Sequence, residues 1–127
     1  MYVKSLPLCL LAASCLALPT QAEETATLQP AEGVGKNAFL QSCETWDEWD
    51  KTAPPFQIHG NTYYVGTCGI YAILVTGDDG YILLDSGVEG AAPSVLENIR
   101  KLGFDPTDIG YILMSHEHFD HVAGNAE

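Results

Sequence analysis

The sequence predicts an α/β fold in which a β-meander leads into a β-α-β unit. Four stretches rich in β-branched and aromatic residues, FQIHG, TYYVG, YAILVT and YILLD, are separated by the turn signals GN and GDDG, which is typical of antiparallel strands. Residues 91–102 then have helical periodicity, and the stretch IGYILM that follows is again strand-like. Strand, helix and strand in this order predict two parallel neighbouring strands.

The predicted helix has recognisable ends. Pro93 stands in its first turn, and Gly103 follows a basic last turn. Its apolar face is formed by residues three or four apart, namely Val95, Leu96, Ile99 and Leu102. Because the crossover makes both flanking strands end at one edge of the sheet, Asp85 and His116 are expected there, where clefts in α/β sheets usually form.

The N-terminus has the pattern of a secretory signal peptide over residues 1–22. A lysine precedes an apolar run from Leu6 to Leu18, and cleavage is predicted after Ala22. The run is shorter than the roughly twenty residues needed to span a bilayer, so no stable membrane insertion is expected after signal removal. A lipoprotein attached through Cys15 is the weaker alternative, because the leucine expected three residues before it is missing. We therefore expect a periplasmic or secreted protein.

The remaining chain has the length of one small, acidic domain. Residues 23–42 are predicted to form a flexible leader, and residues 43–127 the folded part. The formal net charge of the whole sequence is −12, with 17 acidic residues and 5 lysines and arginines. Such a surface repels phosphate backbones, so nucleic acid is not an expected partner.

Two cysteines remain after signal removal, and they are predicted to pair. Cys43 and Cys68 would lie in an oxidising compartment, where an even pair is more often a disulfide than two free thiols. Closing this loop would stabilise the fold by about 3 to 4 kcal/mol in the chain-entropy model. Neither cysteine has CxxC spacing, so both are assigned a structural role.

Trp46 and Trp49 stand three residues apart, the spacing of one helical face. We expect them to pack against the edge of the core rather than to form a platform for a ligand.

The stretch SHEHFDH concentrates potential metal ligands directly after the last predicted strand. His116 and His118, two residues apart at a strand end, are expected to point to the same side and to suit one metal ion. Asp120 and His121 follow on a predicted loop and offer a carboxylate and an imidazole to a second ion nearby. This mixture of nitrogen and oxygen donors favours zinc. The isolated His59 is interpreted as an ordinary residue.

The motif SHEHFDHVAG resembles the HxHxDH signature of the metallo-β-lactamase superfamily. The upstream stretch APPFQIHGNTYYVGTCGIYAILVTGDDGYILLDSG is similar to class B β-lactamases of the third subclass, which keep a histidine directly after the aspartate. The resemblance covers roughly residues 43–125. It implies the αββα sandwich of that superfamily, with this chain supplying the first half.

The resemblance also implies a site with two zinc ions. His116 and His118 would bind the first, and Asp120 and His121 the second, while Asp120 also orients the attacking water. Asp85 would support the metal loop from beneath. The implied function is an exported zinc-dependent hydrolase that opens the β-lactam ring of penicillins, cephalosporins and carbapenems. No serine lies in a GxSxG or SxxK setting, which is consistent with attack by water.

In the family, one more histidine reaches each zinc from well downstream. We therefore expect this chain to be the first half of a longer protein and to be inactive alone. Two alternatives stay open. One is another hydrolase of the same fold, such as a lactonase or thioesterase, and the other is a non-catalytic metal-binding module.

Overall fold

A five-stranded sheet in the order β1-β2-β3-β4-β5 forms the centre of the computed structural model, which describes residues 34–127. The strands are β1 (Phe56–His59), β2 (Thr62–Tyr64), β3 (Ile73–Val75), β4 (Tyr81–Leu84) and β5 (Ile109–Leu113). The first four pair antiparallel, and β5 pairs parallel with β4. The predicted meander and β-α-β unit are confirmed. The predicted signal peptide and Cys15 lie outside the described residues.

Helix α2 (Ala92–Lys101) connects β4 to β5 and covers one face of the sheet. Its start contains a proline and its last turn is basic, as predicted, and Gly103 after it has φ +87°. The helix packs on the sheet through a single apolar cluster: Tyr63, Val65, Ala72, Leu74, Leu83, Val95, Ile99 and Leu102. No helix within residues 34–127 has both the length and the apolar character needed to cross a membrane.

One position on the buried face of α2 differs from the prediction. Leu96 is only half-buried, whereas Asn98 is 2 % exposed. The side-chain amide of Asn98 donates towards the carbonyl oxygens of Ala53 at 3.0 Å, Val65 at 3.1 Å and Gly66 at 3.2 Å. These hydrogen bonds offset the cost of burying the amide and tie α2 to the segments that flank β1 and β2.

Helix α1 (Val34–Ser42) lies inside the stretch predicted to be a flexible leader, so that prediction is wrong from residue 34 onward. The physical reason is tertiary packing. The ring of Phe39 lies 5.3 Å from the ring of Phe56 and 4.9 Å from that of Tyr64. The helix is therefore stabilised by side chains of β1 and β2 rather than by a strong helical pattern of its own.

The tryptophan prediction is also wrong. Trp46 is 95 % exposed, and Trp49 is half-exposed with its ring 5.9 Å from that of Phe119. The segment after α1 is held in turns, one of them by the side chain of Asp47, which accepts from the backbone N–H of Glu44. Because this segment is not a helix, a spacing of three residues does not place both rings on one face.

The structure joins Cys43 and Cys68 in a disulfide, as predicted, with their Cα atoms 5.2 Å apart. The backbone N–H of Cys68 also donates to the carbonyl of Lys51 at 2.8 Å. The end of α1 and the irregular segment before β1 are thus attached to the loop between β2 and β3.

We expect the protein, when purified without reductant, to contain no free thiol at Cys43 or Cys68. Replacing both cysteines with serine should lower the free energy of unfolding by about 2–4 kcal/mol, because the unfolded chain is then no longer constrained by the crosslink. Non-reducing mass spectrometry after alkylation checks the bond, and denaturant unfolding checks its effect on stability. Recovery of two alkylated thiols from the native protein would contradict the assignment.

Candidate metal centre

The site lies at the edge of the sheet where β4 and β5 both end. Asp85 directly follows β4, and its backbone N–H donates to the carbonyl of Leu113, the last residue of β5, at 2.8 Å. The backbone N–H of Ser115 donates in turn to Oδ1 of Asp85 at 2.7 Å. Asp85 and the start of the histidine motif are therefore neighbours, as the parallel pairing of β4 and β5 predicts.

Asp85 has an unusual backbone and a fully paired side chain. Among the described residues other than glycine, it alone has a positive φ, +60°, a conformation that costs about 1–3 kcal/mol. Its side chain is completely buried. Burial raises the pKa of Asp85, but hydrogen bonds from the backbone and side chain of Ser115 and from His121 outweigh burial, so this pKa lies below its ordinary value. Asp85 is therefore an ionised acceptor beneath the site.

The hydrogen bonds to this carboxylate determine which ring nitrogen of two histidines carries the proton. Nδ1 of His121 lies 2.8 Å from Oδ2 of Asp85, and since the carboxylate only accepts, Nδ1 donates. The hydroxyl of Ser115 donates its single hydrogen to Oδ2 of Asp85 at 2.7 Å. Oγ of Ser115 therefore accepts from Nδ1 of His116 at 2.9 Å. In their neutral forms, both imidazoles then have a free lone pair on Nε2, the tautomer that binds a metal through that nitrogen.

The three imidazoles of the motif lie close together. The ring centroid of His116 is 4.7 Å from that of His118 and 4.1 Å from that of His121. Oδ2 of Asp120 lies 3.4 Å from Nε2 of His121. The sequence places the last two ligands on a loop turning away, but they lie in a short helix, α3 (Phe119–Val122). That helix returns the imidazole of His121 to the ring of His116.

Although the three imidazole rings pack together, the ligand atoms of no three side chains in the histidine motif converge on one point. Within residues 34–127, the only three metal-binding side chains whose ligand atoms all lie within 4.8 Å of one another are Cys43, Asp47 and Cys68. Both of these sulfur atoms are in the disulfide, so they are not thiolate ligands. The exposed His59 lies at the end of β1, at the opposite edge of the sheet from β5, which agrees with its assignment as an ordinary residue.

The segment that carries the histidine motif is attached to the sheet through Gly124, a residue that the sequence pattern does not mark as part of the site. The backbone N–H of Ser86 donates to the carbonyl of His121 at 2.9 Å, and that of Gly124 donates to the carbonyl of Gly87 at 3.3 Å. A Cβ at position 124 would stand 2.5 Å from the carbonyl oxygen of Ser86. Only glycine fits this close approach without displacing the loop that carries His121.

Gly124→Ala is expected to move α3 away from Ser86. We predict a loss of about 1–3 kcal/mol in the free energy of unfolding and a weaker affinity for zinc, because the imidazole of His121 moves with the helix. Denaturant unfolding and chelator competition measure the two effects. Gly110→Ala is the matched control, since its Cβ would meet no atom nearer than the carbonyl oxygen of Tyr81 at 3.9 Å. Equal effects of the two substitutions would contradict this role for Gly124.

Comparison with known proteins identifies the family. A sequence model described as the Metallo-beta-lactamase superfamily matches residues 65–127, which include β3, β4, β5 and the histidine motif. The chain belongs to the metallo-β-lactamase superfamily.

Solved metallo-β-lactamases have the same fold over their matched part. The MIM-2 metallo-β-lactamase is 54% identical with a TM-score of 0.71, and the match covers 72% of this chain and 35% of that one. MIM-1 from Novosphingobium pentaromativorans is 56% identical with a TM-score of 0.68, covering 71% and 34%. MEM-A1, a subclass B3 enzyme from a soil metagenome library, is 45% identical with a TM-score of 0.60, covering 61% and 30%. The match thus spans about a third of the length of these metallo-β-lactamases.

The residues present fit zinc, the metal that the superfamily implies. The donors are imidazole nitrogens and one carboxylate, which zinc accepts. His121 donates its Nδ1 hydrogen to the buried carboxylate of Asp85, and His116 donates to Ser115. A histidine whose second nitrogen is held by an oxygen acceptor is the usual arrangement around protein-bound zinc.

Proposed function

We propose that the complete protein containing this chain is an exported zinc-dependent hydrolase that opens the β-lactam ring of penicillins, cephalosporins and carbapenems. The observation that carries the proposal is the pair of imidazoles, His116 and His121, held with Nε2 free by Asp85 and Ser115. The 54% identity with the MIM-2 metallo-β-lactamase supports the choice of substrate class.

We assign the ligands to two ions. As the family resemblance implies, His116 and His118 belong to the first and Asp120 and His121 to the second. The ring centroids of His116 and His118 lie 4.7 Å apart, and Oδ2 of Asp120 lies 3.4 Å from Nε2 of His121. Bound zinc would bring the ionisation of a water molecule close to neutral pH and polarise the amide carbonyl of the substrate.

Side chains of this chain orient the attacking water and leave neither Ser86 nor Ser115 free to act as the nucleophile. The carboxylate of Asp120 can accept a hydrogen bond from the attacking water and so orient it towards the carbonyl, which is the catalytic role we assign to it. The hydroxyl of Ser115 is committed to Asp85, and Ser86 is buried with its Oγ 3.4 Å from the carbonyl of His121. Because both serine hydroxyls already have hydrogen-bond partners, water is favoured over either serine as the nucleophile.

An exposed aromatic pair borders the ligands. Phe119 stands between His118 and Asp120, is 64 % exposed, and faces Trp49. Exposed aromatic rings beside polar ligands suit a small substrate that has both a ring system and charged groups, and β-lactams have this character.

The test compares β-lactams with the substrates of the alternative hydrolases. Purified complete protein is assayed with nitrocefin and a carbapenem, and in parallel with lactones and thioesters, while bound zinc is measured by elemental analysis. We expect β-lactam hydrolysis that is lost after chelation and restored by zinc. A preference for lactones or thioesters would support the alternative hydrolase, and zinc binding without any hydrolysis would support the metal-binding module.

Export is part of the proposal and has its own measurement. The Cys43–Cys68 disulfide is consistent with an oxidising compartment such as the periplasm. We expect N-terminal sequencing of the exported protein to find cleavage after Ala22. Retention of residues 1–22, or a lipid on Cys15, would contradict this part of the proposal.

A further inference from the structure

We propose that Tyr71 is a positioning residue that holds His116 and His121 in the orientation and tautomer that bind metal. This inference rests on the proposed function, because it concerns the same two ligands. Tyr71 lies in the loop between β2 and β3, far along the sequence from the histidine motif. Nothing in the sequence pattern assigns it to the site.

The ring of Tyr71 contacts one of the two ligands directly. Its centroid lies 5.1 Å from that of the His121 imidazole, with the two planes at 66°. This edge-to-face geometry is the favourable arrangement for two aromatic rings. His121 is therefore held on one side by the carboxylate of Asp85 at Nδ1 and on another by the Tyr71 ring.

The hydroxyl of Tyr71 acts on the other ligand through Ser115. It donates to Oγ of Ser115 at 3.0 Å. That oxygen has one hydrogen, given to Asp85, and two lone pairs, one of which accepts from Nδ1 of His116. The Tyr71 hydroxyl occupies the second lone pair. Every hydrogen-bonding position of the Ser115 hydroxyl is then used within the protein.

The hydrogen bond from Tyr71 matters because the Ser115 hydroxyl can rotate away from Asp85 when one of its lone pairs has no partner. If it donated to Nδ1 of His116, the imidazole proton would have to sit on Nε2, where it would block metal binding. With the Tyr71 hydroxyl and the Asp85 carboxylate both in place, the hydroxyl stays directed at Asp85. Tyr71 thus links the ligands of both proposed zinc positions without itself serving as a ligand.

The first experiment measures imidazole tautomers in the metal-free complete protein by ¹⁵N NMR, under conditions in which the rings are neutral. We expect His116 of the wild type to carry its proton on Nδ1, and Tyr71→Phe to show a mixture of tautomers. Tyr111→Phe is the matched control, because Tyr111 lies on β5 and is 71 % exposed. An unchanged tautomer of His116 in Tyr71→Phe would overturn the inference.

The second experiment measures zinc affinity by chelator competition. Tyr71→Phe should weaken binding about tenfold, the lower end of the effect of residues that orient metal ligands. Because Tyr71→Phe keeps the ring and acts through Ser115, the same change in a Ser115→Ala background should have little further effect. An equal loss in both backgrounds, or a loss explained by a matching fall in melting temperature, would overturn the route through Ser115.

The two proposals fail in different ways. A wild-type protein that binds no zinc would overturn the proposed function, while the tautomer measurement, which needs no metal, would still decide the role of Tyr71. A wild-type protein that binds zinc and hydrolyses β-lactams, with Tyr71→Phe indistinguishable from it in tautomer and affinity, would overturn only the inference about Tyr71.

Discussion

His116→Ala and Asp120→Ala are each expected to lower β-lactam turnover by the complete protein about 100-fold or more. Each removes a ligand from one of the two proposed zinc positions, and zinc contributes several kcal/mol to stabilising the transition state, where 1.36 kcal/mol corresponds to a tenfold change in rate. His116→Ala should weaken the first position, and Asp120→Ala the second. Steady-state kinetics together with zinc content separates the two losses.

The control for both substitutions is His59→Ala. His59 is exposed at the end of β1, at the far edge of the sheet from the metal loop, so its removal should leave zinc content and turnover near wild type. A loss comparable to that of His116→Ala would show that the wrong histidines have been assigned. Full turnover in Asp120→Ala would contradict its catalytic role and the assignment of the second position.

The sheet was predictable because its physical signals are local. Short runs of β-branched and aromatic residues between Gly-Asn and Gly-Asp turns placed the strands within a few residues of their observed ends, and the change of period located α2. The parallel pairing of β4 and β5 followed from the connection between them. That pairing also predicts that Asp85 lies beside the histidine motif.

The errors fall where long-range packing overrides local pattern. The stretch Val34–Ser42 has a weak helical signal, yet it is a helix because Phe39 reaches the rings of Phe56 and Tyr64. Asn98 is polar and was not counted on the buried face of α2, although three carbonyl groups from distant segments satisfy its amide. The partners of Phe39 and of Asn98 are distant in the sequence, so the residues next to them along the chain do not predict these contacts.

Within the candidate site, the sequence predicts the donors but not what orients them. Four potential ligands in six residues are recognisable by residue type and spacing, as is an aspartate at a strand end. The contributions of Ser115, Gly124 and Tyr71 depend on hydrogen bonds and close approaches between segments that only the fold brings together. A glycine shortly after the motif was the one available signal, and alone it does not distinguish close packing from an ordinary turn.

The second large effect is expected when residues 23–127 are expressed alone. We predict no useful hydrolysis of a β-lactam, because the motif supplies two ligands to each proposed zinc position, half of a tetrahedral shell. The described part of the chain also leaves apolar side chains exposed at and after β5, namely Tyr111, Ile112, Leu113 and Met114. An uncovered apolar edge strand favours association between copies, so low solubility is expected as well.

The measurement compares residues 23–127 with the complete protein at equal concentrations and with added zinc. Bound metal, carbapenem hydrolysis and light scattering are recorded for both. Weak zinc binding with extra water in the coordination shell follows from the missing ligands, and aggregation follows from the exposed β5 surface. Two tightly held zinc ions with turnover near that of the complete protein would contradict the prediction, and would mean that a partner copy or residues outside the motif supply the missing ligands.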